Sequence, residues 1–299
     1  MGETKISWAT HTVNIVHGCS KPAAVPLEVL EIAERVSGPI DLRWTKPNTS
    51  PECRICYAET LSNKRGWTPH PWLEKFEDEN VMLKPERFKE ITKLKVEPTH
   101  LPPSQRKRLF ICSMGDLFHR NVPDEFLHRF FEVINQTAHI YQLLTKRPER
   151  AMNWPGPWTP NIWLGTTCGH PITKWRVECL RQSKAITRFV SMEPLLGDMG
   201  EMDFTGIHQC IVGGESGKGF RPMDMAWAVK LKNQCVEQGC SYFFKQDSAY
   251  TTERRTYVVE NGVAKQWRQF PGEMTAPVHV EPDNAIYHNK QFAIVEGAA

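Results

Sequence analysis

The run Leu109-Phe110-Ile111-Cys112-Ser113-Met114-Gly115-Asp116 sets the pattern of this chain: a short apolar stretch, then small, polar and charged residues. An apolar run of this length closed by turn formers reads as a buried strand. The pattern recurs five times. Ile140-Tyr141-Gln142-Leu143-Leu144 ends in Thr145-Lys146-Arg147-Pro148, Asn161-Ile162-Trp163-Leu164 in Gly165-Thr166-Thr167, and Thr187-Arg188-Phe189-Val190 in Ser191-Met192-Glu193-Pro194. Gln209-Cys210-Ile211-Val212 ends in Gly213-Gly214-Glu215-Ser216, and Ser241-Tyr242-Phe243-Phe244 in Lys245-Gln246-Asp247. Successive starts lie roughly 20 to 33 residues apart, the repeat of a βα unit, and helical patterns over 123–137, 175–183 and 225–238 fill most gaps. The expected fold is α/β, a partial or complete parallel (β/α) barrel covered by helices, with a doubly wound open sheet as the alternative. In either, the polar residues after each strand gather on one face, where ligands bind.

Upstream, Val13-Asn14-Ile15-Val16 reads as one more strand, delivering His17-Gly18-Cys19 onto a loop. Residues 21–51 read as an insertion with a helix over 26–36 and a turn-rich end, Lys46-Pro47-Asn48-Thr49-Ser50-Pro51. Cys53-Arg54-Ile55-Cys56 follows and runs into a helix over 57–64, whose N-terminal amides would favour negative charge on the sulfurs. A second insertion, 67–103, is polar, with a helical segment around 85–94, and is expected across the outside of the barrel. The chain therefore divides into a barrel unit, 1–247, and a C-terminal appendage and tail, 248–299, with strand-like pieces at 256–259 and 263–267.

With 299 residues, 40% of them hydrophobic, a sizeable core is available. No run of about 18 apolar residues occurs, and Met1-Gly2-Glu3-Thr4-Lys5 is too polar for a signal peptide, so a soluble, cytoplasmic protein without a membrane role is expected. A net charge of +3 neither demands nor forbids a nucleic-acid partner. Nine cysteines, an odd count without a secretory signal, argue for reduced thiols, some of them bound to metal.

Two thiols at CxxC spacing can aim at one centre; with Cys19 they have the count of a three-thiolate site that keeps an open position. Zinc with His17 as fourth ligand, or unligated thiols, are the plainer readings. A phosphate-loop reading around Gly217-Lys218 fails, because Val212 stands where the first glycine belongs and Gly219 replaces Ser or Thr. His119, His128 and His139 form no compact ligand pattern. The clusters Lys64-Arg65, Arg106-Lys107-Arg108, Lys146-Arg147 and Arg254-Arg255, interleaved with ten Trp, would suit a phosphate backbone and a stacked base.

The order of short motifs resembles a known family. Gly18-Cys19, Cys53-Arg54-Ile55-Cys56-Tyr57-Ala58-Glu59, Met114-Gly115-Asp116-Leu117-Phe118-His119, Leu144-Thr145-Lys146-Arg147-Pro148-Glu149-Arg150, Trp163-Leu164-Gly165, Glu193-Pro194-Leu195-Leu196-Gly197, Gly213-Gly214-Glu215-Ser216-Gly217 and Phe244-Lys245-Gln246 look like the phage-encoded three-cysteine-motif proteins. That radical SAM-type family is distantly similar to spore photoproduct lyase. The resemblance implies a [4Fe-4S] cluster held by Cys19, Cys53 and Cys56, with one iron left for S-adenosyl-L-methionine and an external reductant to start the chemistry. Reductive cleavage of the sulfonium would then give a 5′-deoxyadenosyl radical that takes hydrogen from substrate. The 33 residues between Cys19 and Cys53 depart from the usual compact spacing of such enzymes.

On the same resemblance Tyr57, Ser113, Gly115 and Asp116 stand at the cofactor, the last three where the methionyl ammonium is held. Lys146 and Arg147 would pair with its carboxylate, Thr166 and Thr167 with the ribose, and Gly213-Gly214 would let adenine approach the backbone. Glu193, Glu215, Lys245 and Gln246 are the substrate-side candidates, with Glu193, Glu215 and Lys245 as the catalytic ones. The implied substrate is a base in DNA, either hypermodified, as by radical isomerisation of a modified thymine, or a thymine lesion under repair. A zinc-stabilised, non-catalytic DNA-binding or interaction module is the reading from another class.

Overall fold

The computed structural model describes residues 2–45 and 49–281. The chain opens with β1 (Gly2–Glu3), β2 (His11–Val13) and β3 (Val16–His17), then α1 (Leu30–Ser37) and, beyond the CxxC, α2 (Tyr57–Arg65). The second insertion carries α3 (Glu77–Asn80), β4 (Met82–Leu83) and α4 (Phe88–Thr92). The regular part runs β5 (Arg108–Ile111), α5 (Asp124–Asn135), β6 (Ile140–Thr145), α6 (Pro148–Asn153), β7 (Ile162–Thr167), α7 (Trp175–Gln182), β8 (Thr187–Met192), β9 (Gln209–Gly213), α8 (Met225–Glu237) and β10 (Ser241–Gln246). The strands β11 (Val258–Glu260), β12 (Val263–Gln266) and β13 (Val278–His279) close the described chain as a small antiparallel sheet. The expected tail beyond 281 and Lys46-Pro47-Asn48 lie outside the described residues.

The main sheet has the order β1-β2-β5-β6-β7-β8-β9-β10, antiparallel only between β1 and β2. From β2 onward the order never reverses, so the sheet has no switch point of the doubly wound kind. Same-handed crossovers between successive parallel neighbours put the helices on one face. Alternation along the strands then sorts the core into two. Leu109, Ile111, Tyr141, Leu143, Leu164, Val190, Cys210, Val212, Tyr242 and Phe244 pack toward α5 and α8. Phe110, Ile140, Trp163, Phe189, Ile211 and Phe243 form a second cluster on the opposite face, around Trp8 and Phe270.

That second face is concave. The Trp8 ring lies 4.7 Å from Phe110 on β5 and 6.2 Å from Phe189 on β8, although three spacings of about 4.8 Å separate those strands in a flat sheet. Gly165 belongs to the same packing: a Cβ there would stand 2.3 Å from the Phe189 ring. The far edge is covered as well. Residues 267–270 run antiparallel to β10, with Phe244 N donating to Trp267 O and Gln269 N to Tyr242 O. Phe270 then reaches across to Arg108 on β5, whose guanidinium lies 4.2 Å from its ring centroid.

The expected strand over Val13-Asn14-Ile15-Val16 is divided in two. Asn14 Oδ1 accepts from Met114 N and Ser113 Oγ, so the chain leaves the main sheet there and Val16–His17 pairs instead with β4. Among the described residues no helix is long and apolar enough to cross a membrane.

Candidate functional site

The Cys19 loop lies against the loop after β5. Gly18 and Gly115 form a bridge, and Gly18 N donates to Met114 O at 2.9 Å. Both glycines are required by contact: a Cβ at Gly115 would stand 2.7 Å from Val16 O, and one at Gly18 (φ +81°) 1.9 Å from Asn80 O. Beyond Cys19, the Ser20 hydroxyl donates to Glu77 Oε2 (2.7 Å) and meets His119 Nε2 (2.9 Å). Asn121 N donates to Nδ1 of His119 and Ser20 N to its Nε2, so the ring is held from both sides. Burial and the neighbouring cations Arg147, Arg120 and Arg150 push this imidazole down to about 3, so it is neutral. Arg147 donates to Ser20 O and stands 4.0 Å from the Cys19 sulfur. Lys21 pairs with Glu59 of α2 at 2.6 Å and ties this loop to the next cysteine loop.

The Cys53–Cys56 loop is fixed from the helix side. Glu52, fully buried, accepts from Gly169 N (3.0 Å) and Thr173 Oγ1 (2.6 Å) on one oxygen and from Ser50 Oγ on the other. Arg176 of α7, also fully buried, donates to Ser50 Oγ (2.9 Å) and Thr167 O (3.0 Å) and lies 3.7 Å from Glu52. Burial alone would raise the Glu52 carboxyl, but Arg176 and the two hydroxyls outweigh it and hold it below its usual range. Arg221 adds a hydrogen bond to Pro51 O at 3.0 Å. Cys56 sits at the N-cap of α2.

These anchors bring the three cysteines into one neighbourhood at the C-terminal end of the sheet. Cys19 and Cys56 pack in one small cluster with Ala58, Leu61, Trp72 and Met114, and Cys19 is close enough to Cys53 and Cys56 to feel their charge. Burial raises the Cys19 thiol to about 12 and the Cys53 thiol to about 11. Lys146 faces them: burial opposes its charge, but the Cys53 and Cys56 thiolates outweigh that and raise it. Among the described residues no carboxylate is paired with its ammonium, and no three His, Cys, Asp or Glu side chains are grouped to hold a metal ion. The thiols share a neighbourhood without forming a coordination sphere. His17 stands apart from it, its ring against Trp67 and its charged neighbours Arg87, Lys84 and Glu86.

The expected mouth at the strand ends begins at Tyr57, which lies near both Cys56 and Glu193. Tyr57 is 59% exposed, yet desolvation by the surrounding protein pushes its phenol well up, with Cys56 and Glu193 adding to the effect. Its hydroxyl donates to Ser113 O at 2.7 Å. Glu193 and Lys245, at the ends of β8 and β10, form an ion pair at 3.0 Å, and Trp8 Nε1 donates to the second oxygen of Glu193 at 3.0 Å. Thr167, on the concave side of β7, has a buried hydroxyl without a partner.

Other expected site residues are placed differently. Glu215 does not face the mouth; it is 5% exposed and grips Arg221 through both oxygens, at 2.6 and 2.9 Å. Thr166 points to the helix face and donates to Thr145 O, as strand alternation requires once Thr167 points inward. Asp116 is spent on the strand ends, accepting from Thr145 Oγ1, Phe118 N and Lys146 N. The Ser113 hydroxyl is held by Asn14. The space beside Gly214 is filled by Ser248, 2.2 Å from where a Cβ would be, and that beside Gly213 by Glu193 at 2.9 Å. Gln246 is buried and holds Thr252 and Glu253.

The basic cluster Arg106-Lys107-Arg108 lies at the start of β5, the opposite end of the sheet. Arg108 is buried on the carbonyls of Trp8, Pro103 and Ser104, Lys107 pairs with Glu97, and Arg106 holds Ala138 O. A cavity of about 370 Å³ opens at that end, lined by Arg106, Ile140, Asn161, Trp163, Thr187 and Pro271, remote from the cysteines.

Residues 46–278 match the model of a family described as "Protein of unknown function (DUF5131)". The chain belongs to this family. No curated protein and no solved structure matches it significantly. In this family member the residues that sequence reasoning missed are Glu52, Arg176, Ser20 and Arg221. Of these only Glu52, a carboxylate abutting a CxxC, carried a signal.

Proposed function

We propose that this chain is a radical SAM-type enzyme whose strands form a partial parallel (β/α) barrel, with Cys19, Cys53 and Cys56 holding a [4Fe-4S] cluster. The observation that carries the reading is the convergence of Cys19 with Cys53 and Cys56 across 33 intervening residues. The donor set fits the group: three soft thiols, no fourth protein ligand beside them among the described residues, an apolar shell from Ala58, Trp72 and Met114, and two cations, Lys146 and Arg147, to balance a negative cluster. The unreversed strand order, the concave face and the contacts of Trp8 and Phe270 across it support the barrel.

When bound and reduced, the cluster supplies cleavage of the S-adenosyl-L-methionine sulfonium, the source of a radical that takes hydrogen from substrate. The chain's own residues bind and orient. The Lys146 ammonium would pair with the methionyl carboxylate, and the buried, unpartnered Thr167 hydroxyl would be free to meet the ribose. Glu193 and Lys245, ion-paired with each other, would position the substrate, with Trp8 fixing the carboxylate. Arg147, Asp116 and Glu215 act behind the site, on the loops. Protons must leave the cysteine thiols when a metal is loaded.

The substrate in this reading is a base in DNA, a modified thymine undergoing isomerisation or a thymine lesion under repair. Its supports are the motif resemblance and the exposed Arg54, Lys64, Arg65 and Trp67 near the cysteine loop. Anaerobic reconstitution with iron and sulfide is expected to give a brown protein that converts S-adenosyl-L-methionine to 5′-deoxyadenosine under reductant. Failure of both, with Cys53→Ala behaving as wild type, contradicts the reading, and stoichiometric zinc without sulfide points to a non-catalytic module. A nucleoside mass profile of DNA made with and without the protein tests the substrate separately.

A further inference from the structure

Resting on that reading, we infer that Glu52 and Arg176 are positioning residues that hold the Cys53 thiol ready for its ligand. Glu52 directly precedes Cys53, Arg176 reaches it from α7, and both side chains are wholly buried. Its bonds have a direction: they tie the cysteine loop to the C-terminal end of β7. Arg176 joins the Ser50 hydroxyl to the Thr167 carbonyl. Glu52 joins the Ser50 hydroxyl to the Gly169 amide and to Thr173 ahead of α7.

The surroundings are shaped for that reach. Gly169 leaves room where a Cβ would stand 1.9 Å from Pro194 O and 3.5 Å from Glu52 Cγ, so the carboxylate meets the amide at 3.0 Å. A buried ion pair is a poor source of stability beside an apolar filling of the same volume. Its effect here is to fix one place for the loop. The carboxylate can satisfy Gly169, Thr173 and Ser50 together in one register only, and that register sets where Cys53 projects. Groups behind a metal ligand that fix its orientation change affinity by about 10- to 100-fold when removed.

The test uses the full-length, metal-free protein. Rates of thiol alkylation are followed by mass spectrometry at Cys53 and Cys19, and cobalt(II) binding is followed by its thiolate charge-transfer absorption. Wild type is compared with Glu52→Gln and with the double variant Glu52→Gln, Arg176→Met, which leaves no lone buried charge. Both variants are expected to alkylate Cys53 faster by about tenfold or more, leave Cys19 unchanged, and bind cobalt(II) about 10- to 100-fold more weakly. Rates and affinity equal to wild type in the folded double variant overturn the inference, because packing alone would then hold the thiol. If Glu52→Gln does not fold, the double variant decides. If wild type itself shows no cobalt–thiolate band, the ligand reading fails, while the alkylation rates still decide the positioning.

Discussion

The two cysteine-bearing loops reach the same place by different means. The Cys53–Cys56 loop is held by a buried ion pair and its hydroxyl partners, anchored on α7 and the end of β7. The Cys19 loop is held mainly by backbone approach, Gly18 against Gly115, with Ser20, His119, Glu77 and Arg147 behind it. A wholly buried ion pair fixes one loop; close backbone approach, with partly exposed ion pairs around it, fixes the other. A break in the first therefore leaves an uncompensated charge, and a break in the second makes a clash.

The largest effect is expected at the charge. Arg176→Ala leaves Glu52 buried without its cation and should cost about 3–5 kcal/mol of unfolding free energy, measured by urea denaturation. Next is the clash. Gly18→Ala forces a Cβ onto Asn80 O in a left-handed backbone and should cost on the order of 1–3 kcal/mol, with a matching fall in thermal midpoint.

His119 tests the Cys19 loop through pH. Its folded value of about 3 lies below the ordinary 6.5, so the unfolded chain binds the proton more readily. The stability it contributes is complete above pH 6.5 and is lost progressively as pH falls toward 3. His119→Gln should flatten that part of the stability–pH curve, and an unaltered slope would refute the assignment. The smallest effect is behind Arg147. Burial raises the Glu149 carboxyl to about 7, and one of its oxygens has no partner, so its charged form destabilises the fold as pH rises from 4.5 through 7. Glu149→Gln should raise the thermal midpoint at pH 8 and change it little at pH 4.

The sheet was legible in the sequence because each strand is a continuous apolar run closed by polar residues, the mark of strands buried on both faces. The expected strand starts at Ile140, Thr187, Gln209 and Ser241 coincide with the observed ones. The split at Asn14 was not legible, since it depends on a side chain bonding to Met114, a hundred residues away. The site followed the same division. Strand ends told which residues lie near the mouth, and Glu193 and Lys245 do meet there. They could not tell Thr166 from Thr167, which differ only in pleat, nor show that Glu215 would find Arg221. Arg176 was invisible for a further reason: in a helical pattern an arginine reads as a solvated face, and only the tertiary fold buries it against Glu52.

In the proposed function three cysteines on two separate loops hold one cluster. Iron and acid-labile sulfide content after anaerobic reconstitution, for wild type and Cys19→Ala, tests it most directly. Iron and sulfide in the proportion of a [4Fe-4S] cluster are expected for wild type, with a loss of most of both in Cys19→Ala. Equal content in the two proteins, or zinc without sulfide in wild type, would contradict it.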